Sequence, residues 1–107
     1  MIIKLFIKTT DNDKVAMVIK CLMSYINEDN IKYKDIKTEP YWKFHNTTVA
    51  EIQLELYKPL DSKIKEDFLN RISNRWLYFG EEEVLSSVTM EGCRLSCDLE
   101  MVNIFFS

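Results

Sequence analysis

A chain of 107 residues, 47% apolar and 29% charged, with two Gly, two Pro and a net charge of −3, has ordinary globular composition and is not a disordered polymer. At that length one domain with one core is expected, burying roughly 60–70% of the unfolded surface. No apolar run approaches the roughly 20 residues that cross a bilayer, and the N-terminal segment, broken by Lys4 and Lys8, lacks a signal-peptide cleavage site. A cytoplasmic protein is expected. The charge is uneven: residues 1–65 hold eleven Lys against nine Asp/Glu, whereas residues 66–107 hold three Arg against eight acids. The C-terminal part is therefore locally acidic, a field that attracts basic partners and repels nucleic acid.

Ile3, Leu5 and Ile7 alternate with Lys4, Phe6 and Lys8, the two-residue period of a strand over about 2–8. Thr9 to Asp13 supply turn and N-cap chemistry. Val15, Val18, Ile19, Leu22, Tyr25 and Ile26 then recur at helical spacing, predicting a helix over about 13–28. A second strand is expected at about 31–38, with Glu39-Pro40 as a turn. Tyr41, Trp42 and Phe44 are read as an approach to the next strand, with a bulge or bend at Asn46-Thr47.

The clearest strand signal is 46–58, where Thr48, Ala50, Ile52, Leu54 and Leu56 alternate with Glu51, Gln53 and Glu55 until Pro59 ends the ladder. Asp61 or Ser62 opens a helix of about 62–74 with Ile64, Phe68, Leu69 and Ile72 inward. A strand over about 83–90, a turn at Met90–Cys93 and a last strand with Leu95, Cys97, Leu99 and Met101 on one face complete the chain. The order β-α-β-β-α-β with an extra C-terminal hairpin is that of an α+β, ferredoxin-like split βαβ sandwich, two helices covering one face of a mainly antiparallel sheet.

Three cysteines, Cys21, Cys93 and Cys97, are an odd, sparse set that fits reduced thiols better than a disulfide framework. Cys21 and Cys97 read as small buried hydrophobes. Cys93 and Cys97, placed on one strand, stand about 13 Å apart and cannot share a zinc ion unless the chain turns between them, and no other ligands are evident. A lone His45 is weak support for acid–base chemistry. No Gly-rich phosphate loop and no nucleophile elbow occurs, so no catalytic residue, metal or cofactor is assigned and a non-enzymatic role is expected.

Two surfaces remain. The basic, aromatic stretch 32–45 interleaves lysines with Tyr33, Tyr41, Trp42 and Phe44, a pattern that suits single-stranded nucleic acid but lacks the glycines of an RNA-recognition sheet. The acidic set Glu81, Glu82, Glu83, Glu91, Asp98 and Glu100 suits a basic protein, because charge of one sign speeds encounter and fixes orientation. Trp76 and Tyr78 are the candidate anchors beside it. Glu51, Gln53, Glu55 and Tyr57 form the alternative partner face.

Taken together, a single domain, no active-site motif, an acidic face and exposed-aromatic candidates at Tyr41, Trp42, Tyr57 and Trp76 give a chain that resembles the small acidic immunity proteins of bacterial toxin–immunity pairs, such as those of contact-dependent growth inhibition. The resemblance is one of overall character and transfers no residue roles. It implies a tight complex that blocks a basic, nuclease-type toxin at its active site or an exosite. The alternatives are a ferredoxin-like module that senses a ligand or oligomerises, and a nucleic-acid binder using 32–45.

Overall fold

A computed structural model describes all of residues 1–107. The order is β1 (Ile2–Ile7), α1 (Asn12–Met23), a 3-10 turn (Glu28–Asn30), β2 (Ile31–Pro40), β3 (Thr48–Leu56), α2 (Ser62–Ile72), β4 (Leu77–Phe79), β5 (Glu83–Ser87) and β6 (Met101–Phe105). The fold is α+β: six antiparallel strands in the order β2-β3-β1-β6-β5-β4 and two helices on one face. No helix is long and apolar enough to cross a membrane.

Alternation decides which face is covered. Ile3, Leu5 and Ile7 of β1 stand opposite Ile52, Ala50 and Thr48 of β3, and Ile3 and Leu5 also face Ile104 and Val102 of β6. These side chains are nearly all fully buried and form one core with Val15, Val18 and Leu22 of α1 and Phe68, Leu69 and Ile72 of α2. Each large aliphatic group so buried contributes about 1.5–3 kcal/mol.

Both helix starts follow from capping chemistry. The Asp11 carboxylate accepts from the amides of Asp13 and Lys14, and that of Asp61 from Ile64 at 2.8 Å. The first helix stops five residues earlier than its apolar spacing suggests. Ser24 bonds back to the Cys21 carbonyl, and the amides of Tyr25 and Ile26 reach the carbonyls three residues before them, so the chain tightens into i→i+3 turns instead of continuing. Ile64, expected inward, is 52% exposed and lines an open groove beside Ile26 and Phe68.

Pro40 is the last residue of β2 and pairs with Thr48; proline is tolerated there because β2 is an edge strand. Tyr41, Trp42 and Phe44 lie in the β2–β3 loop, not in a strand. Asn46 turns that loop with φ 57°, a left-handed conformation that asparagine tolerates.

The C-terminal third departs furthest from expectation. The hairpin is β4–β5, which precedes the last strand, and residues 93–100 form no long strand. The Ser96 amide donates to the Ile72 carbonyl at 2.8 Å, Leu95 bridges Ser73, and the Asn74 side chain binds Gly92 and Arg94. These bonds hold the segment against the end of α2. Leu95, Cys97 and Leu99 face the core without joining a ladder, and the strand begins at Met101 with Val102 and Ile104 inward.

Cys97 and Asp98 both take left-handed backbone geometry, and Cys97 forms a disulfide with Cys21 across 76 positions. The expectation of reduced, merely space-filling thiols at these two residues is thus corrected. Only Cys93 is free, packed beside the hydroxyls of Ser73 and Ser86. Cys93 and Cys97 do not share a strand face, because the chain turns between them. The bond fastens the last turn of α1 to the 93–100 segment. It persists in oxidising surroundings and opens in a glutathione-reduced compartment.

Closing so long a loop removes entropy from the unfolded chain, so Cys21→Ser is expected to lower unfolding free energy by about 2–4 kcal/mol. Urea titrations with and without dithiothreitol check this: reductant should shift the wild-type midpoint to that of the variant and leave the variant unmoved.

Candidate functional site

The β4–β5 hairpin gathers the largest part of the expected acidic set. Leu77, Tyr78 and Phe79 pair with Leu85, Val84 and Glu83, and Gly80 turns the chain at φ 69°, where a side chain is strained. The turn is fixed through its backbone. The Lys65 ammonium donates to the Glu81 carbonyl at 3.3 Å, and the Phe106 amide to the Glu82 carbonyl at 2.8 Å. Lys65 also lies over the Phe106 ring at 4.2 Å, a cation–π contact. The carboxylates of Glu81 and Glu82 make no hydrogen bond or ion pair and remain in water. Glu83 accepts from the Asn103 amide at 3.0 Å, so its carboxylate is positioned by the sheet.

β4 is an edge strand, and all three of its residues are exposed. Tyr78 shares the helix-side face with Val84, while Leu77 and Phe79 point to the other face. Tyr78 is 65% exposed directly beside the acidic turn. Trp76, the other expected anchor, is used internally: its indole donates to the Leu69 carbonyl at 3.0 Å and the ring packs on the core.

The remaining acids are elsewhere. β5 starts at Glu83 and ends at Ser87, so about 13 Å of strand separates the hairpin turn from the end at which Glu91, Asp98 and Glu100 lie. The Glu91 carbonyl is held by the Arg75 guanidinium. Asp98 and Glu100 line a groove with Lys8, Lys14 and the disulfide, where nearby cations offset their charge. The six acids therefore divide into a hairpin group with no cation paired to its carboxylates and a second group in mixed surroundings.

The alternative face is more compensated still. Glu51 pairs with Lys4 at 4.0 Å and Glu55 with Lys32 at 3.6 Å, the only ion pairs in the chain. Tyr57 turns away from Gln53 and Glu55 into an open groove of about 490 Å³ shared with Tyr25, Ile64 and Phe68.

The rings of the 32–45 stretch do not complete the core. Tyr41 packs edge-on against Phe6 at 5.1 Å and carries Phe44 and Trp42 at 5.6 and 6.0 Å, so the group caps the uncovered face of the sheet. Trp42 is 87% exposed. His45 is exposed in the same loop. No group of three or more His, Cys, Asp or Glu side chains gathers where it would hold a metal ion.

Exposure at Leu77 and Phe79 was missed by the sequence reading. The signal was the run Leu-Tyr-Phe ahead of a glycine, which marks a short strand whichever face it presents. The site thus defines a six-stranded α+β domain with a rigid acidic hairpin at one edge. Comparison with protein-family models, curated proteins and solved structures finds no match.

The two aromatic residues are expected to separate on mutation. Trp76→Ala should cost about 2–4 kcal/mol through lost packing of its half-buried ring on the core, while Tyr78→Ala stays within about 0.5 kcal/mol. Thermal denaturation followed by circular dichroism distinguishes the two.

Proposed function

We propose that this chain is a non-enzymatic protein-binding module of the immunity type, neutralising a basic, nuclease-type toxin by docking the β4–β5 hairpin against it. The observation that carries the reading is the pairing of two uncompensated carboxylates, Glu81 and Glu82, with an exposed tyrosine on a turn whose backbone is tied down. A nuclease must be basic to hold phosphates, so an acidic protein fits the same surface. A preorganised turn loses little entropy on docking. Tyr78 has the features of an anchor: a large ring, polar at its tip, inside a charged rim. Glu91, Asp98 and Glu100 contribute at most a longer-range field.

In this reading the complex calls for no cofactor and forms in the cytoplasm, where a nuclease toxin acts. There Cys21 and Cys97 would stand as a dithiol. We also infer a ferredoxin-like ancestry for the sheet, in which β2, β3, β1 and β6 are the four strands of the split βαβ unit and the β4–β5 hairpin is added ahead of the last. The same framework supports the alternative of an oligomerising or ligand-sensing module. A nucleic-acid role for 32–45 is less well supported, since Lys32 is paired with Glu55 and Asp35 and Glu39 interrupt the remaining lysines.

The test is affinity capture from the native host, mass spectrometry of the captured protein, then stopped-flow association with that protein. Glu81→Lys with Glu82→Lys should slow association about tenfold or more and flatten its salt dependence. Tyr78→Ala should act on dissociation instead. Association at an unchanged rate with unchanged salt dependence would remove the hairpin as the docking element.

A further inference from the structure

The Cys21–Cys97 bond lies in the lining of an open groove of about 650 Å³ that also includes Lys8, Lys14, Asp98 and Glu100. Small-molecule sites commonly occupy about 300–1,000 Å³, so the groove has room for a ligand of that size. Both cysteines are half-buried, while Lys8, Lys14 and Asp98 are exposed. None of the four charged side chains is taken up by an ion pair, since the chain's two pairs lie elsewhere. The two sulfurs are not equivalent. The Tyr25 hydroxyl donates to Cys97 Sγ at 3.4 Å and stands 3.9 Å from Cys21 Sγ, and the Ser96 hydroxyl donates to Cys97 Sγ at 3.7 Å. Cys21 lies in the last turn of α1, where the carbonyl end of the helix disfavours negative charge. The Asp98 carboxylate, next to Cys97 in the chain, is exposed and screened by water. An electron pair released by cleavage is therefore held best on Cys97.

We propose that this groove is a site of thiol–disulfide exchange with a small charged thiol of the glutathione class, and that Cys21 is the sulfur attacked. Such a thiol carries carboxylates and an ammonium group, charges that the lysines and acids of one groove can pair. The step balances without a further reactant. The thiolate of the small molecule attacks Cys21 Sγ and forms a mixed disulfide there. The Cys21–Cys97 bond breaks, and its electron pair leaves on Cys97 Sγ, which accepts from Tyr25 and Ser96. A better-stabilised thiolate leaves faster, so these hydroxyls both direct and speed the exchange. The product carries the small thiol on the last turn of α1 and frees the 93–100 segment from its one covalent tie. The β4–β5 hairpin takes no part, so the site is independent of whatever docks there.

The test treats the oxidised full chain with reduced glutathione, quenches with acid, alkylates free thiols with iodoacetamide and maps the peptides by mass spectrometry. At early times glutathione should be found on Cys21 and the new alkyl group on Cys97. Lys8→Ala with Lys14→Ala, both at exposed positions, should slow exchange with glutathione about tenfold and leave the rate with uncharged 2-mercaptoethanol unchanged. Tyr25→Phe should slow both thiols alike. Glutathione on Cys97 overturns the assignment of the attacked sulfur. An equal effect of the lysine substitutions on both thiols, or no effect on either, overturns recognition by the groove. A bond that resists both thiols until urea unfolds the chain overturns the site itself.

Discussion

Strand β1 is held on both sides at once, by β3 and by β6, and its inward residues Ile3, Leu5 and Ile7 are almost completely buried. The rest of the molecule depends on that double registration. A slip of one residue would turn the apolar set outward and place Lys4 in the core. Because β1 cannot slip, β3 and β6 are fixed, the helices have one surface to cover, and every outward side chain on the far face has an assigned row. The ion pair between Lys4 and Glu51 follows from this frame rather than creating it, as expected for an exposed pair.

The hairpin takes its position from the same frame by a longer route. β6 fixes β5, and β5 fixes β4, so the acidic turn stands at the outermost edge of the sheet. The contacts of Lys65 and Phe106 with its carbonyls then restrain a loop that would otherwise be free. Charge on a restrained loop can act in recognition because little order remains to be imposed. The two faces of β4 divide the surface further: Tyr78 on one side, Glu81 and Glu82 at the tip, and Leu77 and Phe79 with Glu83 on the other.

The two edges are managed differently. β2 is long, and its lysines and terminal proline oppose pairing with other strands. β4 is only three residues and presents little backbone. On the helix side, the disulfide joins α1 to the 93–100 segment, which has few ladder bonds of its own. That segment is held by side chains and by one covalent bond, so its order is more sensitive to redox conditions than that of the sheet.

The strands β1 and β3, both helices and both helix caps were legible in the chain itself, since period-two and period-3.6 patterns and capping carboxylates are local properties. The candidate acids were legible as residue types but not as a group, because positions 81–83 and 91–100 look continuous in sequence while β5 separates them in space. Three matters were decided only by the tertiary structure. Residues 93–100 show strand alternation, yet they spend their hydrogen bonds on the end of α2. Cys21 and Cys97 are too far apart in sequence for local chemistry to pair them, and only the docking of α1 against that segment brings them together. The aromatic residues at 41–44 and 77–79 carry no mark of which face they occupy: that depends on strand register, which is fixed by contacts between residues distant in the chain.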